Sequence, residues 1–263
     1  MIKKPVQEDF GAWSRMVADD TRTIIGTSQG LPGGGKSHFW LTAPQPIAWF
    51  LFDPGGLKGL CSNPLFADKE VYVRDFAEIV NVGKYREPID RIKASIEGFN
   101  IFQEEWDFIL PKVRSLVVDK ESLLWEVIRY AFDEVKSPTP KNFHELNLLY
   151  RGWVQDAETK GKNLGLLRDI SDTWGIIGHK ADGKPQYGFT GIYKPDGQKY
   201  APGLVQINMQ HQWNAETRGF EVKILEKCRL GSAEQLIGQV VPNLDFPTLA
   251  TMLYPDADPE EFV

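Results

Sequence analysis

Gly30-Leu31-Pro32-Gly33-Gly34-Gly35-Lys36-Ser37 is the stretch from which the fold of this chain can be read. It has the form G-x-x-x-x-G-K-S, with Gly30, Gly35, Lys36 and Ser37 at the defining positions. Backbone N–H groups can surround a phosphate only where the chain comes close to it, and glycine permits that approach. In such a loop the lysine reaches the β- and γ-phosphates and the serine hydroxyl holds Mg²⁺. Context separates this pattern from a glycine-rich turn. Thr23-Ile24-Ile25-Gly26 reads as a short strand entering the loop, and a helix over 37–43 leaves it, stopped by Pro44 and Pro46. Gly30, Leu31, Pro32, Gly33, Gly34, Gly35, Lys36 and Ser37, with His38 after them, are therefore the expected nucleotide contacts, and ATP with Mg²⁺ the expected ligands.

Outward from the loop, apolar runs alternate with amphipathic ones. Residues 47–52 form a continuous apolar run, as a buried parallel strand does, and Asp53-Pro54-Gly55-Gly56 turns out of it. Helical spacing over 85–99, which 106–110 extends, precedes a second buried strand over 115–118. Helices over 122–132 and 143–158 flank the loop 137–140, and 164–167 reads as the next strand. This alternation predicts an α/β fold, a mostly parallel sheet with helices on both faces. The strand over 115–118 delivers Asp119 at its carboxyl end, where it would join Ser37 in the magnesium shell; capping of the next helix is the alternative. Hydrolysis also needs a group that positions water. Glu121 and Asp53 are the two candidates, and Lys36 completes the expected catalytic set.

Beyond Trp174 the composition shifts to Gly, Pro, Tyr and Lys over 181–203, a hairpin or loop insertion. Strands over 205–210 and 220–226 follow, then a closing helix over 246–254 and an acidic tail, 255–263, expected to be loose. The expected division is an N-terminal segment 1–20, a core 21–178, an insertion 179–204, and strands with a closing helix of the same domain over 205–263. Lys180, Lys184, Lys194 and Lys199 interleave with Tyr187, Phe189 and Tyr193 in the insertion, a pattern suited to single-stranded nucleic acid or to a solvated hairpin. The net charge of −6 argues against unassisted coating of nucleic acid. His38, His144, His179 and His211 lack metal-ligand spacing, and Cys61 and Cys228 make no disulfide framework. No apolar run of about 18 residues and no apolar leader core are found, so a cytoplasmic protein without a membrane partner is expected.

An ordered set of segments resembles the phage-encoded RecA-like ATPases, a group that includes single-strand annealing proteins of phage recombination. The set runs from Gly30 through His38-Phe39 and Ala43-Pro44-Gln45-Pro46-Ile47 to Val117-Val118-Asp119-Lys120-Glu121-Ser122 and Leu124-Trp125-Glu126. It continues through Asn163-Leu164, Asp172, Trp174 and Thr190-Gly191 to Lys227-Cys228-Arg229 and 249–258. The resemblance implies a RecA-like core with a C-terminal β-rich extension, a homo-oligomer with nucleotide at the subunit interface, and single-stranded DNA and other phage recombination or replication proteins as partners. It implies also that Lys227 and Arg229, alternating on a strand, reach a neighbour's nucleotide; exposed edge-strand charges are the alternative. Two departures, Gly55 where relatives carry a glutamate and Arg168 where they often carry a histidine, imply slow turnover or nucleotide binding as a structural switch.

Overall fold

The computed structural model describes residues 22–53, 55–77, 84, 87–132, 140–179, 184–226 and 228–262. The first half of the chain contributes β1 (Ile25–Gln29), α1 (Lys36–Trp40), β2 (Ile47–Leu51), α2 (Gly56–Cys61), α3 (Pro64–Ala67), β3 (Val71–Asp75) and α4 (Pro88–Ile109). β4 (Ser115–Asp119), α5 (Glu121–Phe132), α6 (Pro140–Thr159) and β5 (Asn163–Arg168) follow. The last part holds β6 (Ile170–His179), β7 (Pro185–Pro195), β8 (Ile207–Asn214), β9 (Gly219–Ile224), β10 (Val240–Pro242) and α7 (Phe246–Leu253).

Eight strands form one sheet in the order β10-β9-β8-β1-β5-β4-β2-β3. Every pairing from β8 through β1, β5, β4 and β2 to β3 is parallel, and β9 and β10 extend the sheet antiparallel. This is the mostly parallel α/β sheet that the alternation predicts, and its antiparallel strands β9 and β10 come from the C-terminal part of the chain. Side chains alternate along a strand, and the continuous apolar runs are explained by burial on both faces. Ala48, Phe50 and Phe52 pack with α4, α5 and α6, whereas Ile47, Trp49 and Leu51 pack on the opposite face with α1 and α7. Phe50, Phe52, Phe76, Phe102, Trp106 and Trp153 make a connected aromatic core on the first face.

Register sets the position of the site. Gln29 lies opposite Arg168, Leu167 opposite Asp119, and Asp119 opposite Leu51. The carboxyl ends of β1, β5, β4 and β2 thus form one row, and ligands of open α/β sheets bind at that end.

Two local expectations are corrected, and one edge strand is added. The hairpin starts at Ile170, within the expected core, because β6 and β7 pair as a separate antiparallel ribbon along most of their length. The acidic tail is held: Phe262 is buried and stacks on Tyr254, and Glu261 pairs with Arg22 at 3.0 Å. β3, at the sheet edge, has no counterpart in the expected elements. Among the described residues no helix is long and apolar enough to cross a membrane.

Candidate nucleotide site

The loop leaves β1 and is pinned where Gly30 N–H donates to the Arg168 carbonyl at 3.2 Å. Leu31, Pro32 and Gly33 are exposed, whereas Lys36 is buried. Gly35 has φ 97°, and a Cβ there would lie 2.6 Å from the Phe220 ring, so a side chain is excluded by conformation and by space. Part of this loop's glycine content therefore serves its packing on β8 and β9. His211, buried on β8, shares a hydrogen bond of 2.9 Å with the Ser28 hydroxyl, which also accepts from Trp40 Nε1 at 2.8 Å. Burial, and then the charge of Lys36, push the His211 imidazole down to about 3.

Five charged side chains meet at the carboxyl ends of the strands. Lys36 Nζ donates to the carbonyls of Gly30 (2.7 Å) and Leu31 (3.2 Å) and pairs with Asp169 Oδ1 at 3.1 Å. Lys120 Nζ bridges Asp169 Oδ2 at 3.0 Å and Asp53 Oδ1 at 3.3 Å. Ser37 Oγ donates to Asp119 Oδ2 at 3.3 Å. Burial, followed by the neighbouring charge of Asp53, pushes the Asp119 carboxyl up to about 6. Burial would also raise Asp169, but hydrogen bonds and charge from Lys120 and Lys36 outweigh it and hold this carboxyl below its ordinary range.

This donor set fits a magnesium nucleotide. Lys36 is satisfied by loop carbonyls and a carboxylate that phosphate oxygens can replace, and a cation at Ser37 and Asp119 would relieve the penalty on a buried charge. Among the described residues no group of three or more His, Cys, Asp or Glu side chains forms a metal site on its own. One hydroxyl and one carboxylate, with phosphate oxygens and water, suit Mg²⁺, which keeps several waters.

The two candidates for positioning water separate. Asp53 is about one-third exposed and contacts Lys120 beside Asp119. Glu121 is fully buried, its Oε2 lies 3.1 Å from Arg168 Nε, and its Oε1 accepts from Gln198 N–H. The expected role of Glu121 is therefore corrected: a carboxylate sealed from solvent and committed to a buried guanidinium cannot orient a water on a phosphate. Gly55 has φ 87°, a left-handed conformation in which a glutamate would be strained.

Arg229 departs from the expected strand position. Arg229 lies beyond the end of β9, with Nη1 donating to the Leu204 carbonyl at 2.8 Å; it does not alternate along a strand. Lys227 lies outside the described residues. His38 borders the loop, hydrogen-bonded to Asn63 at 3.2 Å and 5.2 Å from the Phe220 ring.

Lys120 and Asp169 were not among the expected site residues. The one local signal for each is adjacency, Lys120 to Asp119 and Asp169 to the end of β5. Arg168 ties this cluster to the ribbon: Nε donates to the Asp196 carbonyl at 2.8 Å and Nη2 to the Gln198 carbonyl at 2.9 Å. On the ribbon, Trp174 pairs with Phe189 and Ile176 with Tyr187, putting four large apolar side chains on one face, each more than half exposed.

No family model and no curated protein matches the chain. Among solved structures, it is similar to a KaiC-like protein from the hyperthermophilic archaeon Pyrococcus horikoshii OT3, at 12% identity and a TM-score of 0.39, over 83% of this chain and 84% of that one.

Proposed function

We propose that this protein binds MgATP on the loop from Gly30 to Ser37, hydrolyses it slowly with Asp53 positioning water, and uses the β6–β7 ribbon to hold single-stranded DNA in phage recombination or replication. In this reading Lys36 holds the β- and γ-phosphates, and Ser37 and Asp119 hold Mg²⁺. The ion supplies charge neutralisation at the transferred phosphoryl group.

The observation that carries the reading is the Arg168-Asp169 step at the end of β5. Asp169 contacts the phosphate-loop lysine, and the preceding Arg168 grips the return of the ribbon at Asp196 and Gln198. Lys36 must give up Asp169 to bind phosphate, so occupancy of the loop is felt at the ribbon base. Stacking on exposed aromatics tolerates any base sequence, and the nearby exposed Lys194 and Lys199 would meet the phosphates.

The test is binding of a labelled oligothymidylate, followed by fluorescence anisotropy with Mg²⁺ and with or without ATP. ATP should strengthen binding, and the double variant Trp174→Ala/Phe189→Ala should lose most of it. Equal, weak binding by wild type and variant under all conditions would reject the DNA reading. It would favour a nucleotide-dependent protein-interaction switch, which the net charge of −6 and the exposed apolar face of the ribbon also suit. Self-assembly is part of the same proposal, with Lys227 and Arg229 offered to a neighbour's nucleotide. ATP should raise the mass seen by light scattering in wild type and not in the Lys227→Ala/Arg229→Ala variant.

A further inference from the structure

We propose that Trp213 and Phe220, flanked by His38, form the platform on which the base of the bound nucleotide stacks. This rests on the nucleotide reading above and assigns to it the residues that recognise the base.

Trp213 on β8 and Phe220 on β9 are direct cross-strand partners, two positions along the ladder from the His211 and Val222 pair. Residues two apart on a strand share a face, so all four side chains lie on one side of the β8–β9 hairpin. The inner pair is buried, at 2% and 1% exposure. The outer pair emerges: Phe220 is half-buried and Trp213 is 51% exposed. Phe220 also touches the loop itself, since its ring occupies the place a Gly35 Cβ would take. The bed on which the phosphate loop rests thus continues past the loop's edge as two aromatic rings, 5.0 Å apart and near perpendicular at 71°. His38 adds a third ring, tilted 35° to Phe220, and its contact with Asn63 orients it.

Topology gives the direction of a bound nucleotide. β1 lies between β5 and β8. The charged cluster of Lys36, Asp119 and Asp169 is on the β4–β5 side of the loop, whereas the aromatic corner is on the β8–β9 side. A triphosphate with its magnesium end at Asp119 and Ser37 directs its nucleoside end toward His38, Phe220 and Trp213. A planar base fits that corner, because an aromatic ring offers its face to any base.

Calorimetric titration with ATP and, separately, with inorganic tripolyphosphate, both with Mg²⁺, tests the proposal on wild type, Trp213→Ala and Trp213→Phe. Trp213 is exposed enough for both variants to fold, which circular dichroism checks. Wild type should bind ATP more tightly than tripolyphosphate. Trp213→Ala should weaken ATP by about 10-fold, within the range for one base–aromatic stack, and leave tripolyphosphate unchanged; Trp213→Phe should restore most of the difference. The platform is overturned if Trp213→Ala binds ATP as wild type does, if it weakens both ligands equally, or if wild type binds tripolyphosphate as tightly as ATP. Wild type that binds neither ligand overturns the nucleotide reading itself.

Discussion

Asp169→Asn should make the protein bind ATP more tightly, against the usual consequence of altering a residue in a binding site. Lys36 Nζ and Asp169 Oδ1 are 3.1 Å apart, with side chains 10% and 19% exposed. Asp169 is held ionised, since Lys120 and Lys36 outweigh the effect of burial on its carboxyl. Nucleotide binding must therefore break a mostly buried, charge-assisted contact, which contributes about 1.5–3 kcal/mol in general. Lys36 keeps two loop carbonyls and Asp169 keeps Lys120, so the releasable part is smaller, about 1–2 kcal/mol. With tenfold in affinity for each 1.4 kcal/mol, the asparagine variant should bind ATP about 5- to 30-fold more tightly. The second effect has the same sign: three carboxylates and two lysines become two and two, and a −1 charge no longer repels the triphosphate. The assay is direct titration with MgATP at neutral pH, with Lys36→Ala as the variant expected to lose affinity. Unchanged or weaker binding in a folded Asp169→Asn protein would show that Asp169 helps to hold the nucleotide and does not compete with it.

Glu121→Gln should act on stability: it leaves the Arg168 guanidinium buried without its counter-charge, a loss of about 3–5 kcal/mol in urea unfolding, and a near-wild-type midpoint with abolished turnover would give Glu121 a catalytic role. Asp53→Asn should keep ATP affinity and lower turnover by about 100-fold or more, the scale of one acid–base group; wild-type turnover would remove Asp53 from the mechanism. Acid should destabilise the fold through His211. Its folded pKa, about 3, lies below the ordinary 6.5, so between those values the unfolded chain binds the extra proton and stability falls as pH falls. At 1.36 kcal/mol per unit, the loss from pH 7 to pH 5 is about 2 kcal/mol. His211→Gln should flatten that part of the urea midpoint's pH profile, and identical profiles for variant and wild type would refute the assignment.

The elements legible in advance are those whose information is local. The run over 47–52 predicts a strand buried on both faces, and β2 is one, because period-2 alternation leaves every second side chain in each core. The strand ending in Asp119 and the helix after it were equally readable. The ribbon starts at Ile170, nine residues before the expected 179, because Thr173-Trp174-Gly175-Ile176 has strand character whether it belongs to the main sheet or pairs only with β7. The tail is anchored against expectation because acidic composition conceals one apolar contact, Phe262, whose partner Tyr254 lies eight residues back.

The glycine-rich loop, the carboxylate at the end of β4 and the alternation of strands and helices can all be read from the order of the residues. Each depends on neighbours within one turn or strand, where sterics and side-chain periodicity act directly. What surrounds the loop follows from the three-dimensional fold. Lys36 and Asp169 are 133 positions apart and meet because β5 inserts between β1 and β4. Glu121 and Asp53 are the same kind of group in the sequence; burial against Arg168 makes one a structural counter-ion, and exposure beside Lys120 leaves the other at the site. Gly35 and Phe220 are likewise brought together by the β8–β9 hairpin packing alongside the loop. Charge pairing and desolvation depend on three-dimensional distance and on exclusion of water, and neither quantity is written in the order of the residues.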